Sequence, residues 1–464
     1  MSRASARPWH ALGALCVGLF VTLLDQSFVA VALPDIQREL GASVNQAVWV
    51  SAVYLLTFAV PLLVTGRLGD RFGQRTVYLC GMAIFTACAA GCAVAPTIEA
   101  LIVLRACQGF GASLVNPQPL SVINRVFPAD HRGQAMGVWS AVAGSTGMFG
   151  PVLGGLIVGA ADWRFAFAAY VPLGLVSLLL VSRWVPRLER TAAHIDSVSA
   201  LVSLVAVLGV VFALQEGPEL GWGPELTAVL VVGLAAGVGF VWLQARAGRT
   251  GREALMPLEL FANNNFARGA LAVATLGFAV YAVHLPIMLY LQQVKGMDPR
   301  HAGLMMIPMG VLSVIVAPMA GRLTDRLAPG LISKTGFGFL IAAMCSFAVV
   351  MWLQAPVLWT LAPVRLPGGA HGACWSPNST ISMRGLPEHL VGAGSGVYNT
   401  SRQVGAVLGA ASLGAVLQVG AGPLGQAGAL AVGMLLPVGG LLVGLYAVSG
   451  FRATTRVRSQ DAAG

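Results

Sequence analysis

Apolar runs about as long as a membrane is thick follow one another through most of this 464-residue chain. A helix needs about 20 apolar residues to cross the hydrocarbon. Runs of that length fall at 11–33, 47–66, 77–96, 98–120, 135–160, 164–183, 197–214, 225–245, 266–289, 302–320, 334–354, 357–378, 391–417 and 427–448, fourteen in all. The third and fourth are parted by little more than Pro96 and Thr97, and the twelfth carries Arg365 and His371. Residues are 56% hydrophobic and 10% charged, against roughly 25% charged in a soluble domain. One water-facing core could not hide this much apolar surface, so lipid is the expected solvent. Arg3 and Arg7 before the first run imitate a secretory signal. The run has no small-residue cleavage signature, and it reads as the first spanning helix.

The loop charges give the count its parity. With the N-terminus in the cytoplasm, inner loops hold 21 basic residues and outer loops four, Arg38, Arg164, Lys295 and Arg300. That asymmetry obeys the positive-inside rule, and one missed helix would destroy it. A bacterial inner-membrane protein with both termini cytoplasmic is therefore expected. The same distribution explains the net charge of +10 without nucleic acid. The seven cysteines lie in apolar segments with no CxxC pair, so neither a disulfide framework nor a metal site is expected.

Three landmarks recur in one order. Gly66-Arg67-Leu68-Gly69-Asp70-Arg71 returns as Gly321-Arg322-Leu323-Thr324-Asp325-Arg326, 255 residues later. Arg105, Gly109 and Pro117 return as Arg365, Gly369 and Pro377, at an offset of 260. Gly133, Gly137 and Val138 return as Gly392, Gly396 and Val397, at an offset of 259. The expected layout is a six-helix bundle over 11–183, a linker with two inserted helices over 184–265, a second six-helix bundle over 266–448, and a cytoplasmic tail over 449–464. Parallel halves of this kind put the substrate between them near the midplane, with rocking as the access mechanism.

These landmarks resemble the major facilitator superfamily, specifically its fourteen-helix drug/proton antiporter branch. GRLGDRFGQR at 66–75 is similar to the superfamily's loop motif, and LIVLRACQGFG at 101–111 to the fourth-helix motif of proton-coupled members. GMFGPVLGG at 147–155 is similar to the fifth-helix motif of antiporters. LLDQSFVAVALPDI at 23–36 and SGVYNTSRQVGAVLG at 395–409 resemble first-helix and late-helix motifs of the branch. Where the family usually has Asn, this chain has Ala30. The resemblance implies an all-α fold, proton-coupled export of hydrophobic or amphipathic small molecules such as drugs or antibiotics, and a gating latch at Gly66, Arg67, Gly69, Asp70, Arg71, Arg75 and Asp325. Export of one natural product or metabolite is the first alternative, and an importer or a non-transporting membrane sensor comes after it.

The residues themselves single out Asp25. A carboxylate inside an apolar helix is costly and is by default functional and paired. Counted inward from the outer ends, Asp25 lies eight residues deep and Arg105 seven, each about 11–12 Å below the surface at 1.5 Å per residue. An ion pair is expected if their helices adjoin, as they do in the family. Arginine favours the ionised acid and burial the neutral one, so a carboxylate held between the two can load and release a proton. The alternative is a fixed pair that only ties two helices. Gly147, Gly150, Pro151, Gly154 and Gly155 serve either a bend that seals the pathway or plain close packing.

Polar and aromatic groups within apolar helices are candidates for a cavity wall. They are Gln26, Trp49, Tyr54, Asn116, Gln118, Tyr281, His284, Met288, Trp375, Asn378, Tyr398, Asn399 and Gln403, with Met305, Met306 and Met309 as adaptable surface. Arg365 and Arg402 have no midplane acid in the later helices to partner them. No HExxH, Walker loop or nucleophile elbow is present, so no enzyme is expected. No cofactor is expected beyond the proton as coupling ion. The expected partners are a small-molecule substrate, protons and the bilayer, around a monomer.

Overall fold

A computed structural model describes residues 8–188, 196–250, 254–324 and 329–451. They form helices throughout, in the order α1 (Pro8–Glu39), α2 (Val44–Ala59), α3 (Leu62–Phe72), α4 (Gln74–Ala93), α5 (Ile98–Val115), α6 (Gln118–Val126), α7 (Ala129–Ala160), α8 (Trp163–Ala168), α9 (Tyr170–Trp184), α10 (Ser197–Leu220), α11 (Pro224–Arg249), α12 (Asn264–Leu289), α13 (Pro299–Leu304), α14 (Ile307–Thr324), α15 (Pro329–Trp352), α16 (Leu361–Met383) and α17 (Glu388–Ser449). Capping residues in the short loops start them. Ser43 and Gln46 close a reciprocal capping box at α2, and the side chains of Thr97, Asp162, Asp196, Asn263 and Asp298 accept from first-turn amides. Proline and glycine break the runs. α2 and the helix after Pro61 meet at 52°. α17 is interrupted at Gly425, whose φ of 67° is open to glycine at little cost.

Ten helices are long and apolar enough to cross a membrane, or eleven if the bent pair around Pro61 is one span. Every expected segment falls on a helix. Those at 135–160, 302–320 and 357–378, however, do not meet that standard over the described residues. In the last, Arg365, Pro367, His371 and Pro377 dilute the apolar run. Among the described residues the count on length and apolarity thus stops at eleven.

Within the first half, α1 packs on α7 and α9, α4 on α5 and α9, and α2 on α5. Within the last part, α12 packs on α17, and α16 on α14 and α15. α10 and α11 pair with each other where Gly209 and Gly233 bring the backbones together, a Cβ on Gly209 falling 2.9 Å from the Gly233 Cα. Of the ten apolar spans among the described residues these two are the least buried, at 22% and 17%. Val198, Leu201, Val231, Val238 and Trp242 stand outward, as a lipid-facing surface requires.

The two sets of helices meet at the end of the molecule where α1 finishes. α7 packs on α13 and α14, and α2 on α17. At that end Gln292 donates to the Val31 carbonyl at 3.1 Å, and Gln293 to Gln37 at 3.2 Å. Trp163 Nε1 donates to Glu39 at 2.7 Å, and Arg164 reaches the other oxygen of the same carboxylate. These hydrogen bonds, led by the Arg164 one, hold the Glu39 carboxyl below the usual carboxylate range.

Candidate functional site

Helix α1 carries Asp25 and α5 carries Arg105 into one buried contact. Arg105 Nη1 donates to Asp25 Oδ1 at 2.8 Å and lies 2.8 Å from Oδ2. Neither side chain is more than 1% exposed. The guanidinium has further partners beside the carboxylate. Its Nε donates to the Val50 carbonyl at 3.0 Å, its Nη1 also reaches Gln108 Oε1 at 2.8 Å, and its carbon sits 4.2 Å from the Tyr54 ring centroid. Tyr54 is held in place by its own hydroxyl, which donates to the Thr22 carbonyl at 2.9 Å. The contact is made possible at Gly109, where any Cβ would run into the Tyr54 carbonyl and Thr57 Oγ1. Tyr170 of α9, packed between Phe28 and Phe85, brings its hydroxyl near Asp25 without a hydrogen bond of regular geometry.

Gln108 and Tyr170 are absent from the sequence-derived candidates. Gln108 had a usable signal, since it lies three residues after Arg105 on the same helix face. Tyr170 sits in an apolar run and reaches Asp25 only through tertiary packing.

The loop group stands at the opposite end. Asp70 accepts from Arg125 at 3.0 Å and from Gln74 at 2.9 Å, and Gln74 also reaches Ser121. Arg67 donates to the Ala254 carbonyl and Arg75 to the Ser182 carbonyl. Arg71 lies over Phe72, 5.6 Å from the ring centroid. Gly69 faces the Gln118 amide, which donates to the Thr65 and Leu114 carbonyls. Gly66 has room, its nearest neighbour being Pro117. Asp325 lies outside the described residues.

On α7 a Cβ at Gly154 would fall 3.1 Å from the Phe28 carbonyl, and one at Gly155 would fall 2.6 Å from the Pro299 carbonyl. The glycines thus seat α7 against α1 on one face and α13 on the other. Gly150 and Pro151 are buried in the same helix. Gly147 lies in the same helix, and its packing is outside what is described.

The cavity candidates divide. Trp49 donates to Glu216 of α10, so it is committed to the α1-finishing end rather than to the midplane. Asn45 completes that knot. Its amide donates to Glu216 at 3.0 Å, and its oxygen accepts from Gln215 at 2.7 Å and from Gln418 of α17 at 2.9 Å. Asn116 donates to Thr22 Oγ1 at 3.1 Å, beside the charge pair. Asn378 donates to Tyr398 Oη at 2.7 Å and to the Gly269 carbonyl at 3.1 Å. Asn399 donates to its own helix at Ser395. His284 Nδ1 lies 3.0 Å from the Val280 carbonyl. Trp375 lies 5.4 Å below the Arg402 guanidinium. Gln26 is half-buried, while Gln403, Met288, Met306 and Met309 are buried. Tyr281 lies in α12 and Arg365 and His371 in α16, with side chains outside those described. Among the described residues no cluster of His, Cys, Asp and Glu could hold a metal ion.

The sequence model of the Major Facilitator Superfamily matches residues 15–410. The chain belongs to that superfamily. It is a transporter, not an enzyme. A chain from Mycobacterium tuberculosis described as an uncharacterized transporter of this type is 39% identical, over 88% of this chain and 70% of its own length. The multidrug resistance protein Stp of the same species is 33% identical over 86% and 74%. The methylenomycin A resistance protein of Streptomyces coelicolor is 34% identical over 87% and 84%. In three dimensions, the crystal structure of an auto-inhibited peptide transporter of the POT family superposes with a TM-score of 0.72. It covers 97% of this chain and 98% of that one at 17% identity, which gives the fold alone.

Proposed function

We propose that this chain exports hydrophobic or amphipathic small molecules in exchange for protons. The observation that carries this reading is the Asp25–Arg105 pair, a carboxylate and a guanidinium both essentially unexposed inside the helices. Arg105 keeps the Val50 carbonyl, Gln108 and the Tyr54 ring as partners if Asp25 takes up a proton. The acid can therefore load and unload without stranding a bare cation in a dry interior, which would be costly. The named relatives, resistance proteins for several drugs and for methylenomycin A, support outward transport of such compounds.

The rest of the reading follows the loop charges and the repeat. The end where α1 finishes is extracellular and both termini are cytoplasmic in an inner membrane. Fourteen helices cross it, as two six-helix bundles over 11–183 and 266–448 with an inserted pair in the linker 184–265 and a tail from 449. A monomer suffices. Asp70, with its Arg125 and Gln74 partners, belongs to the cytoplasmic gate. The sealed α7–α13 contact, with the glutamines beside it, is the extracellular gate in its closed state.

Everted vesicles test the exchange. An anionic and an uncharged fluorescent dye are supplied separately, and uptake is followed with and without a pH gradient. Uptake that collapses with the gradient in the parent, and is lost in Asp25→Asn at equal expression, is expected. Gradient-driven uptake retained by Asp25→Asn would sink the role given to Asp25.

A further inference from the structure

We propose that Arg402 recognises an acidic group on the transported molecule, so that the preferred substrates are amphipathic organic anions. The proposal deepens the export reading and rests on it. Arg105 and Arg402 both stand within the helices, the first wholly buried and the second half-buried, and they are provided for differently. Arg105 meets a carboxylate, a carbonyl, an amide oxygen and a ring. Arg402 sits on the face of Trp375, and its Nε is buried without a hydrogen-bond partner among the described residues.

The sequence offers it no internal counter-ion. After Asp298 the acids are Asp325, Glu388 and Asp461, and none falls inside an expected spanning segment. Asp25 is already engaged by Arg105. A buried Nε–H on a charged group within the helices is costly unless an acceptor meets it. An aromatic face meets only part of that need. The missing acceptor then comes from outside the chain.

The surroundings suit an oxyanion attached to an aromatic body. The guanidinium presents a planar fork of donors that matches a carboxylate or sulfonate. The next residue, Gln403, is 1% exposed, and both atoms of its amide are without partners among the described residues. One turn before, Tyr398 is fixed by Asn378, whose own Oδ1 is likewise buried and unpartnered. Trp375 forms the floor, a ring on which an aromatic portion can stack.

Two probes that differ in one charged group decide the matter. 1-Anilinonaphthalene-8-sulfonate carries a sulfonate, and N-phenyl-1-naphthylamine is the same skeleton without it. Each is titrated into the full chain in phosphatidylcholine discs, and binding is read by fluorescence against empty discs. Arg402→Gln should weaken the sulfonate by about ten-fold or more, the scale of a lost charged hydrogen bond, and shift the uncharged probe by less than about two-fold. Arg402→Lys should fall between, which keeps the test open if the Gln variant folds poorly. Equal losses for both probes, or none for the sulfonate, would overturn the proposal. A headgroup phosphate offers the same chemistry, so the titration is repeated in discs containing phosphatidic acid. Unchanged sulfonate affinity supports a substrate site. Competition by the acidic lipid assigns the anion to the bilayer and overturns it. No gradient is involved, so the result is independent of whether vesicle export is proton-driven.

Discussion

Gly155 of α7 and Gly303 of α13 occupy each other's side-chain space. A Cβ built on either would fall 2.9 Å from the other's Cα. Backbone packed this closely on backbone leaves nothing that can swing aside. The contact belongs to the face where the two sets of helices are pressed together.

Gly155→Val or Gly303→Val is therefore expected to pry that face open. With the native cysteines removed and Ala302→Cys added next to the contact, where Ala302 is fully buried, a membrane-impermeant maleimide should label the valine variants several times faster than the glycine parent. Equal labelling would remove this contact from the gate.

The Asp25–Arg105 pair should behave as a unit in stability. Removing one partner of a buried pair costs about 3–5 kcal/mol, whereas replacing both costs far less. Arg105→Gln is expected to lower the thermal transition in detergent strongly, and Asp25→Asn added to it should restore part of the loss. Additive losses in thermal unfolding of the single and double variants would argue that the two residues act separately.

Gly109→Ala tests the scaffold of the same site. The new methyl meets the Tyr54 carbonyl on α2, which is backbone and cannot rotate away. Overpacking of this kind costs about 1–3 kcal/mol, read as a lower melting temperature. Gly66→Ala, where the nearest neighbour is 3.8 Å away, should be close to neutral by the same measurement.

Much of this arrangement could be read from the chain. Asp25 and Arg105 were legible because a charge in an apolar helix is rare, and equal depth implied that they could meet. The repeat was legible because glycines and arginines kept their spacing. Other parts could not be read, since period and hydropathy carry no record of tertiary neighbours. Trp49 reads as an aromatic wall for a ligand, but Glu216 claims its indole from 167 residues away. Asp70 reads as one member of a cluster with Arg67, Arg71 and Arg75, but its hydrogen bonds come from Arg125 and Gln74. The expected segment at 357–378 is weakened where arginine, histidine and proline enter its apolar run.

Replacing Glu216 should then affect gating without touching the midplane. Glu216→Ala strips the acceptor for both Trp49 and Asn45, and Glu216→Gln keeps an acceptor oxygen. The alanine variant should raise maleimide labelling of the Ala302→Cys reporter, with the glutamine variant close to the parent. An alanine variant that labels like the parent would leave the knot without a part in gating.

That knot binds three partners rather than two. Asn45 on α2 is grasped at once by Gln215 from the inserted pair and by Gln418 from α17. When α2 and α17 separate, Asn45 can keep at most one of these holds. The hairpin α10–α11 must side with one half on each stroke and part company with the other. If access is by rocking of two halves, as proposed, the motion involves three bodies, and the α10–α11 pair is a passenger that has to choose its carriage.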